Sequence, residues 1–109
     1  MSRPIKCRKI CHLPPSTRFI AEGKSETDTT LLTLDEYECI RLLDYLDFSQ
    51  EDCAVHMQVS RATVQLIYEG ARKKLATALV CGHCIRIDGG HFRLDFCENK
   101  KCGCHNTQP

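Results

Sequence analysis

A chain of 109 residues, 42% hydrophobic but only 6% aromatic and without Trp, is sized for one domain with a modest aliphatic core and room for a small appendage. No apolar run reaches the roughly 18 residues of a membrane span, and no apolar stretch follows the basic N-terminal residues, so neither a membrane helix nor a signal peptide is expected. The net charge is only +1, which excludes a uniformly basic protein and leaves charge distribution as the informative quantity.

That distribution is uneven. Residues 1–24 hold Arg3, Lys6, Arg8, Lys9, Arg18 and Lys24 against Glu22 alone, whereas residues 35–52 hold seven acidic residues against Arg41 alone. Basic character returns at Arg72, Lys73 and Lys74. A DNA-binding protein needs a local basic surface rather than a basic total, and this segregation fits one. Nine cysteines without an export signal point to a cytoplasmic, metal-binding chain rather than a secreted disulfide scaffold, and the odd count agrees.

Residues 1–30 show neither helical nor strand periodicity. Pro4, Pro14 and Pro15 interrupt regular structure, and Ser25–Thr30 is polar and linker-like. This reads as a basic arm containing Cys7 and Cys11, in which Arg3, Lys6, Arg8 and Lys9 can follow phosphates or enter a minor groove.

Residues 31–80 read as a three-helix unit. The first helix is expected over Leu31 to Phe48, capped by Thr33 or Asp35, with a buried stripe of Leu34, Tyr37, Ile40, Leu43 and Leu46. Acidic residues in its first turn suit the helix dipole. Cys39 and Cys53 are expected to be small core residues, because free Cys packs like a hydrophobe. Ser49 then caps a second helix that carries Ala54, a small residue suited to a close helix crossing. His56 on that helix is read as structural or close to phosphate. Val59 closes its apolar face, Ser60 caps the next helix, and Val64, Ile67, Tyr68, Ala71, Leu75, Ala78 and Leu79 form a stripe at spacings of three and four.

The opposite face of this third helix carries the chemistry. Arg and Gln can pair with purine edges, while Lys, Arg and Thr can grip phosphates. The start of a recognition helix reaches the bases, so Ser60, Arg61, Ala62, Thr63 and Gln65 are the expected readers, with Arg72 and Lys73 on phosphates. Gln58 occupies the turn position that Gly usually fills, and is expected to take a left-handed or otherwise strained backbone.

Residues 81–109 change character. Cys81-Gly82-His83-Cys84 is a CxxC at a helix end, with Gly82 suited to the left-handed cap. Alternating apolar residues on either side of Gly89-Gly90 predict a β-hairpin. Cys97, Cys102 and Cys104 follow. A hairpin would bring Cys84 and Cys97 together, and tetrahedral zinc asks for four such ligands. Cys81 and Cys84 with two of Cys97, Cys102 and Cys104 make one set, which Cys7 and Cys11 can complete or supplement. Zinc suits a small hairpin that needs a staple. An iron–sulfur cluster is the alternative for the same thiolates.

RPIKCRKIC, LTLDEYECIRLLD, MQVSRATVQ, ARKKLATALV and IDGGHFRL, in that order and spacing, resemble the small prokaryotic family called domain of unknown function 134, described as predicted DNA-binding proteins. VSRATVQLIYEGARKKLATAL is also similar to the helix-turn-helix of the fourth region of bacterial sigma factors. The resemblance implies a mainly α, sigma-region-four-like fold and a regulatory role on double-stranded DNA. A homodimer is expected, because one such helix reads few base pairs. No catalytic constellation or small-molecule site is evident, so an enzyme is not expected. The alternative is a protein-interaction or metal-cofactor assembly module built on the same helices.

Overall fold

The computed structural model describes residues 8–23 and 28–94, which run as β1 (Arg8–Ile10), β2 (Arg18–Phe19), β3 (Thr29–Leu32), α1 (Leu34–Ile40), α2 (Gln50–Met57), α3 (Arg61–Cys81), β4 (Cys84–Ile87) and β5 (Phe92–Leu94). Three helices are thus combined with short strands in a mixed α/β arrangement. α1 starts where Thr33 can cap it. The Thr33 hydroxyl accepts from the Glu36 amide, while the Glu36 carboxylate accepts the Thr33 N–H at 2.9 Å, closing a capping box. The helix passes without a break into a π-helical turn over Arg41–Tyr45, and Asp47 at φ 59° ends it. The helix expected from Leu31 therefore begins three residues later, because residues 29–32 pair in a sheet instead.

Ser49 caps α2 and Ser60 caps α3 as their side chains predict, each accepting an amide three residues on. Between them Gln58 takes the left-handed conformation, at φ 59° and ψ 46°, at the position where Gly would be comfortable. Gly82 ends α3 at φ 70° and ψ 34°.

Two apolar clusters follow from this layout. Cys39, Leu42, Cys53, Ala54, Met57, Val64 and Ile67 pack where α1, α2 and α3 meet. Cys39 and Cys53 are fully buried core residues, as expected of them. Ile10, Leu32, Leu34, Ala71 and Ile87 form the second cluster, between α1, α3 and the strands. The buried face of α1 and its π turn is Leu34, Asp35, Glu38, Cys39, Arg41 and Leu42. Tyr37, Ile40, Leu43 and Leu46, expected to lie at the centre of that face, are only partly buried. Along α3, Val64, Ile67, Ala71 and Ala78 are buried, but Leu79, expected in the same stripe, is 84% exposed.

The strands correct two expectations. The N-terminal segment is not irregular throughout: β1 and β2 lie in it and β3 begins in it, all too short to show periodicity, and they pair with residues far along the chain. The expected C-terminal hairpin is absent among the described residues. β4 pairs antiparallel with β2 and parallel with β3, whereas β5 pairs parallel with β1, Ile10 opposite Leu94. Gly89 and Gly90 do form a turn, at φ 75° and 98°, but it wraps the start of α1. Gly89 accepts the Leu34 amide at 3.0 Å. A Cβ on Gly90 would lie 2.4 Å from Asp35 Oδ1 and 2.8 Å from Thr33 Cβ. The turn therefore carries β5 away from β4 and onto β1.

Candidate functional site

The first candidate surface is the leading face of α3. Ser60 and Arg61 start the helix, and Ser60, Arg61, Ala62, Gln65, Arg72 and Lys73 are all exposed, with Thr63 half-buried. Thr63 is held by the cap, its amide donating to Ser60 Oγ at 3.1 Å. The longer side chains meet acidic partners. Arg61 lies 3.2 Å from the Glu51 carboxylate, and Gln65 donates to Glu69 at 2.9 Å. Arg72 stacks over Tyr68 at 5.3 Å and reaches Asp44 at 3.9 Å. Tyr68 donates its hydroxyl to Asp44 at 2.7 Å, a bond that pushes its phenol pKa up. These pairs are solvent-exposed, and such contacts are worth little individually. Leu66 and Val55, 72% and 78% exposed, add apolar area on the same two helices.

The rest of the expected arm is divided. Arg8 lies in β1, half-buried, with Nη1 3.7 Å from Asp35 Oδ2. Lys9 is half-buried in the same strand. Arg3 and Lys6 lie outside the described residues.

The second candidate site is buried and polar. Cys11 directly follows β1, Glu38 projects from α1 and His56 from α2, and one ligand atom from each falls within 4.8 Å of the others. Cys11 Sγ is 3.1 Å from His56 Nε2, His56 Nε2 is 3.6 Å from Glu38 Oε2, and the Cys11 amide donates to that same oxygen at 3.1 Å. Arg41 clamps the carboxylate from the other side, Nε to Oε1 at 2.7 Å and Nη2 to Oε2 at 2.9 Å. Burial alone would raise the Glu38 pKa; hydrogen bonds from His56 and Arg41, the Arg41 charge and the Cys11 amide outweigh it and hold the carboxyl below its usual range. Cys11 is disulfide-bonded, whereas Cys39, Cys53 and Cys81 are free thiols.

Sequence reasoning named Cys11 as a metal ligand but missed both of its neighbours here. Glu38 read as a first-turn charge and His56 as structural or close to phosphate. The signal available was the Glu38–Arg41 pair at i, i+3 within a stretch of α1 that also supplies core residues. Of the other expected ligands, Cys81 is exposed at the end of α3, and Cys84 is buried at the start of β4, accepting the Ala21 amide at 3.3 Å. Cys7, Cys97, Cys102 and Cys104 lie outside the described residues. An open cavity of about 580 Å³ lies over β2 and β4, lined by Arg18, Cys84 and Arg86 among others, and shares no residue with the buried triad.

A family described as Protein of unknown function DUF134 matches residues 1–95, a span that contains every described residue of both sites. The chain belongs to that family. Over 109 residues it is 48% identical to a UPF0251 protein of Clostridium acetobutylicum, covering 98% of this chain and 76% of that relative. A UPF0251 protein of Desulfitobacterium hafniense strain Y51 is 48% identical over 106 residues, covering 95% of this chain and 83% of the relative. A third, from Clostridium novyi, is 43% identical over 109 residues, covering 98% and 74%. No solved structure matches. The membership expected from the sequence motifs is borne out, and the family description assigns no activity. No helix among the described residues is long and apolar enough to cross a membrane.

Proposed function

We propose that this member of the family is a cytoplasmic, sequence-specific DNA-binding protein that regulates transcription as a homodimer and has no catalytic activity. One observation carries the reading: two capped helices, α2 and α3, are joined by the short turn Gln58–Ser60, and α3 begins with exposed Arg61, Ala62 and Gln65. In this reading Ser60, Arg61, Ala62, Thr63 and Gln65 enter the major groove, and Arg72, Lys73, Arg3, Lys6 and Lys9 meet phosphates, with Arg8 anchoring the arm through Asp35. Cys81 and Cys84, with two of the tail cysteines Cys97, Cys102 and Cys104, hold zinc, or in the second instance an iron–sulfur cluster, that stabilises the C-terminal segment.

Selection of genomic fragments by gel shift tests this directly. On a selected fragment, Arg61→Ala weakens binding by about 1–3 kcal/mol while leaving random duplex nearly unaffected. Equal losses on both duplexes assign Arg61 to phosphate, and no selected fragment at all rejects the DNA reading. A second reading, a protein-interaction or metal-cofactor assembly module, is favoured by the exposed Leu66 and Val55 and by the acidic partners on the same surface. Under it the chain selects no DNA fragment, and Leu66→Glu abolishes capture of a protein partner.

A further inference from the structure

From the buried corner at the end of β1 we infer a metal site separate from the tail cysteines: Cys11 Sγ, His56 Nε2 and Glu38 Oε2 bind one zinc ion when Cys11 is reduced. The inference does not depend on the DNA reading. The donor set is a thiolate, an imidazole and a carboxylate, which are zinc's ordinary ligands. Zinc–ligand bonds of about 2.0–2.3 Å in tetrahedral geometry set neighbouring ligand atoms roughly 3.3–3.6 Å apart. The Cys11–His56 and His56–Glu38 separations of 3.1 and 3.6 Å lie close to that.

The surroundings suit a ligand set. Arg41 fixes both oxygens of Glu38, the kind of outer hydrogen bonding that orients a ligating carboxylate. The three donors come from β1's end, α1 and α2, so each is held by a different element and none depends on a mobile side chain at the surface. Cys11 and Glu38 are fully buried, and His56 is nearly so. A desolvated thiolate–imidazole–carboxylate cluster gains more from a divalent cation than an exposed one does, because its charges are already out of water.

The disulfide at Cys11 and the metal are alternative uses of one sulfur. A dithiol reductant supplies two electrons and two protons to the disulfide, becoming a disulfide itself and leaving two thiols. Zinc then displaces the Cys11 thiol proton to solvent. The bound ion links β1 to α2, so reduction exchanges a covalent tether at Cys11 for a coordinate one that includes the helix preceding the α2–α3 turn.

The full-length chain, reduced with a phosphine and equilibrated with zinc, is desalted and its zinc counted per chain by elemental analysis, alongside a Co²⁺ spectrum and far-ultraviolet circular dichroism. His56→Gln keeps the side chain polar but removes the ligand, whereas His56→Cys restores one. The expected result is loss of one zinc per chain in His56→Gln, retention in His56→Cys, and a stronger thiolate-to-cobalt band in the latter. If the two variants behave alike, either both keeping the zinc or both losing it, His56 is a packing residue and the site is refuted. Zinc on the tail cysteines is untouched by either substitution, so failure here and failure of the tail reading are distinguishable.

Discussion

The Glu38–Arg41 pair is the most stringent test of the buried corner's energetics. Both side chains are nearly sealed from water, 0% and 5% exposed, and they meet through two charged hydrogen bonds of 2.7 and 2.9 Å. Removing one partner takes a counter-charge from the other inside a low-dielectric site, at a cost of about 3–5 kcal/mol. That is a large share of the roughly 5–15 kcal/mol that holds a domain of this size folded. Glu38→Gln keeps the shape and one acceptor for the Cys11 amide but takes the charged Glu38 carboxylate away from Arg41. Arg41→Met leaves the carboxylate with only His56 and the Cys11 amide. The double variant has no unpaired charge between these two positions, so its cost falls short of the summed singles by about 2–3 kcal/mol. Urea unfolding followed by circular dichroism, with reductant and chelator present, measures all four proteins. Additive costs would show that the pair is not coupled and that the corner tolerates a lone charge.

The same pair has a pH signature. Glu38 titrates below its ordinary value in the folded chain, so its stabilising contribution is fully present at neutral pH and is lost as pH falls through the folded value. The stability gap between wild type and Glu38→Gln accordingly narrows on acidification below the usual carboxylate range, and a constant gap overturns the assignment. Gly90→Ala sets a Cβ against Asp35 and Thr33 at a left-handed φ and costs about 1–3 kcal/mol, read as a lower urea midpoint. Ser60→Ala removes the α3 cap for about 1 kcal/mol, whereas Ser60→Asp largely preserves it. Glu51→Gln frees Arg61 from its acidic neighbour and tightens binding to a selected DNA fragment, with a steeper salt dependence; unchanged affinity separates Arg61 from the DNA surface.

Much of the helical unit was legible in residues whose effect is local. Thr33, Ser49 and Ser60 each offer a hydroxyl to an amide three residues ahead, and Gln58 and Gly82 sit where helices must reverse direction. Their neighbours in sequence decide the outcome. The strands were not legible in the same way, because a strand of two or three residues has no period and its partners lie far along the chain. Gly89-Gly90 with flanking alternation is the ordinary signature of a hairpin. It is overruled by a contact that no local pattern encodes: the close fit of Gly90 against Thr33 and Asp35. The buried triad was illegible for a related reason. Cys11 and Glu38 are 27 residues apart and Cys11 and His56 are 45 apart, so only the tertiary fold brings them together. Glu38 and Arg41 alone carried a hint, as an opposite-charge pair amid core positions.

The strand layer and the helical unit are joined through α2 at two places. In its last turn, His56 meets Cys11 and Glu38. At its end, the Arg93 guanidinium on β5 donates to Gln58, the left-handed residue of the turn. β5 is itself paired with β1, whose next residue is Cys11. The chemical state of Cys11 and the geometry of the α2–α3 turn are therefore connected by two short paths of contacts: Cys11 to His56 along α2, and Cys11 through β1 and β5 to Arg93 and Gln58. The measurable consequence is that substitution of Arg93 by Ala, which cuts the second route and leaves every proposed metal ligand in place, reduces the difference in DNA affinity between zinc-loaded and disulfide-bonded protein. An undiminished difference would mean that α2 transmits the state of Cys11 by itself.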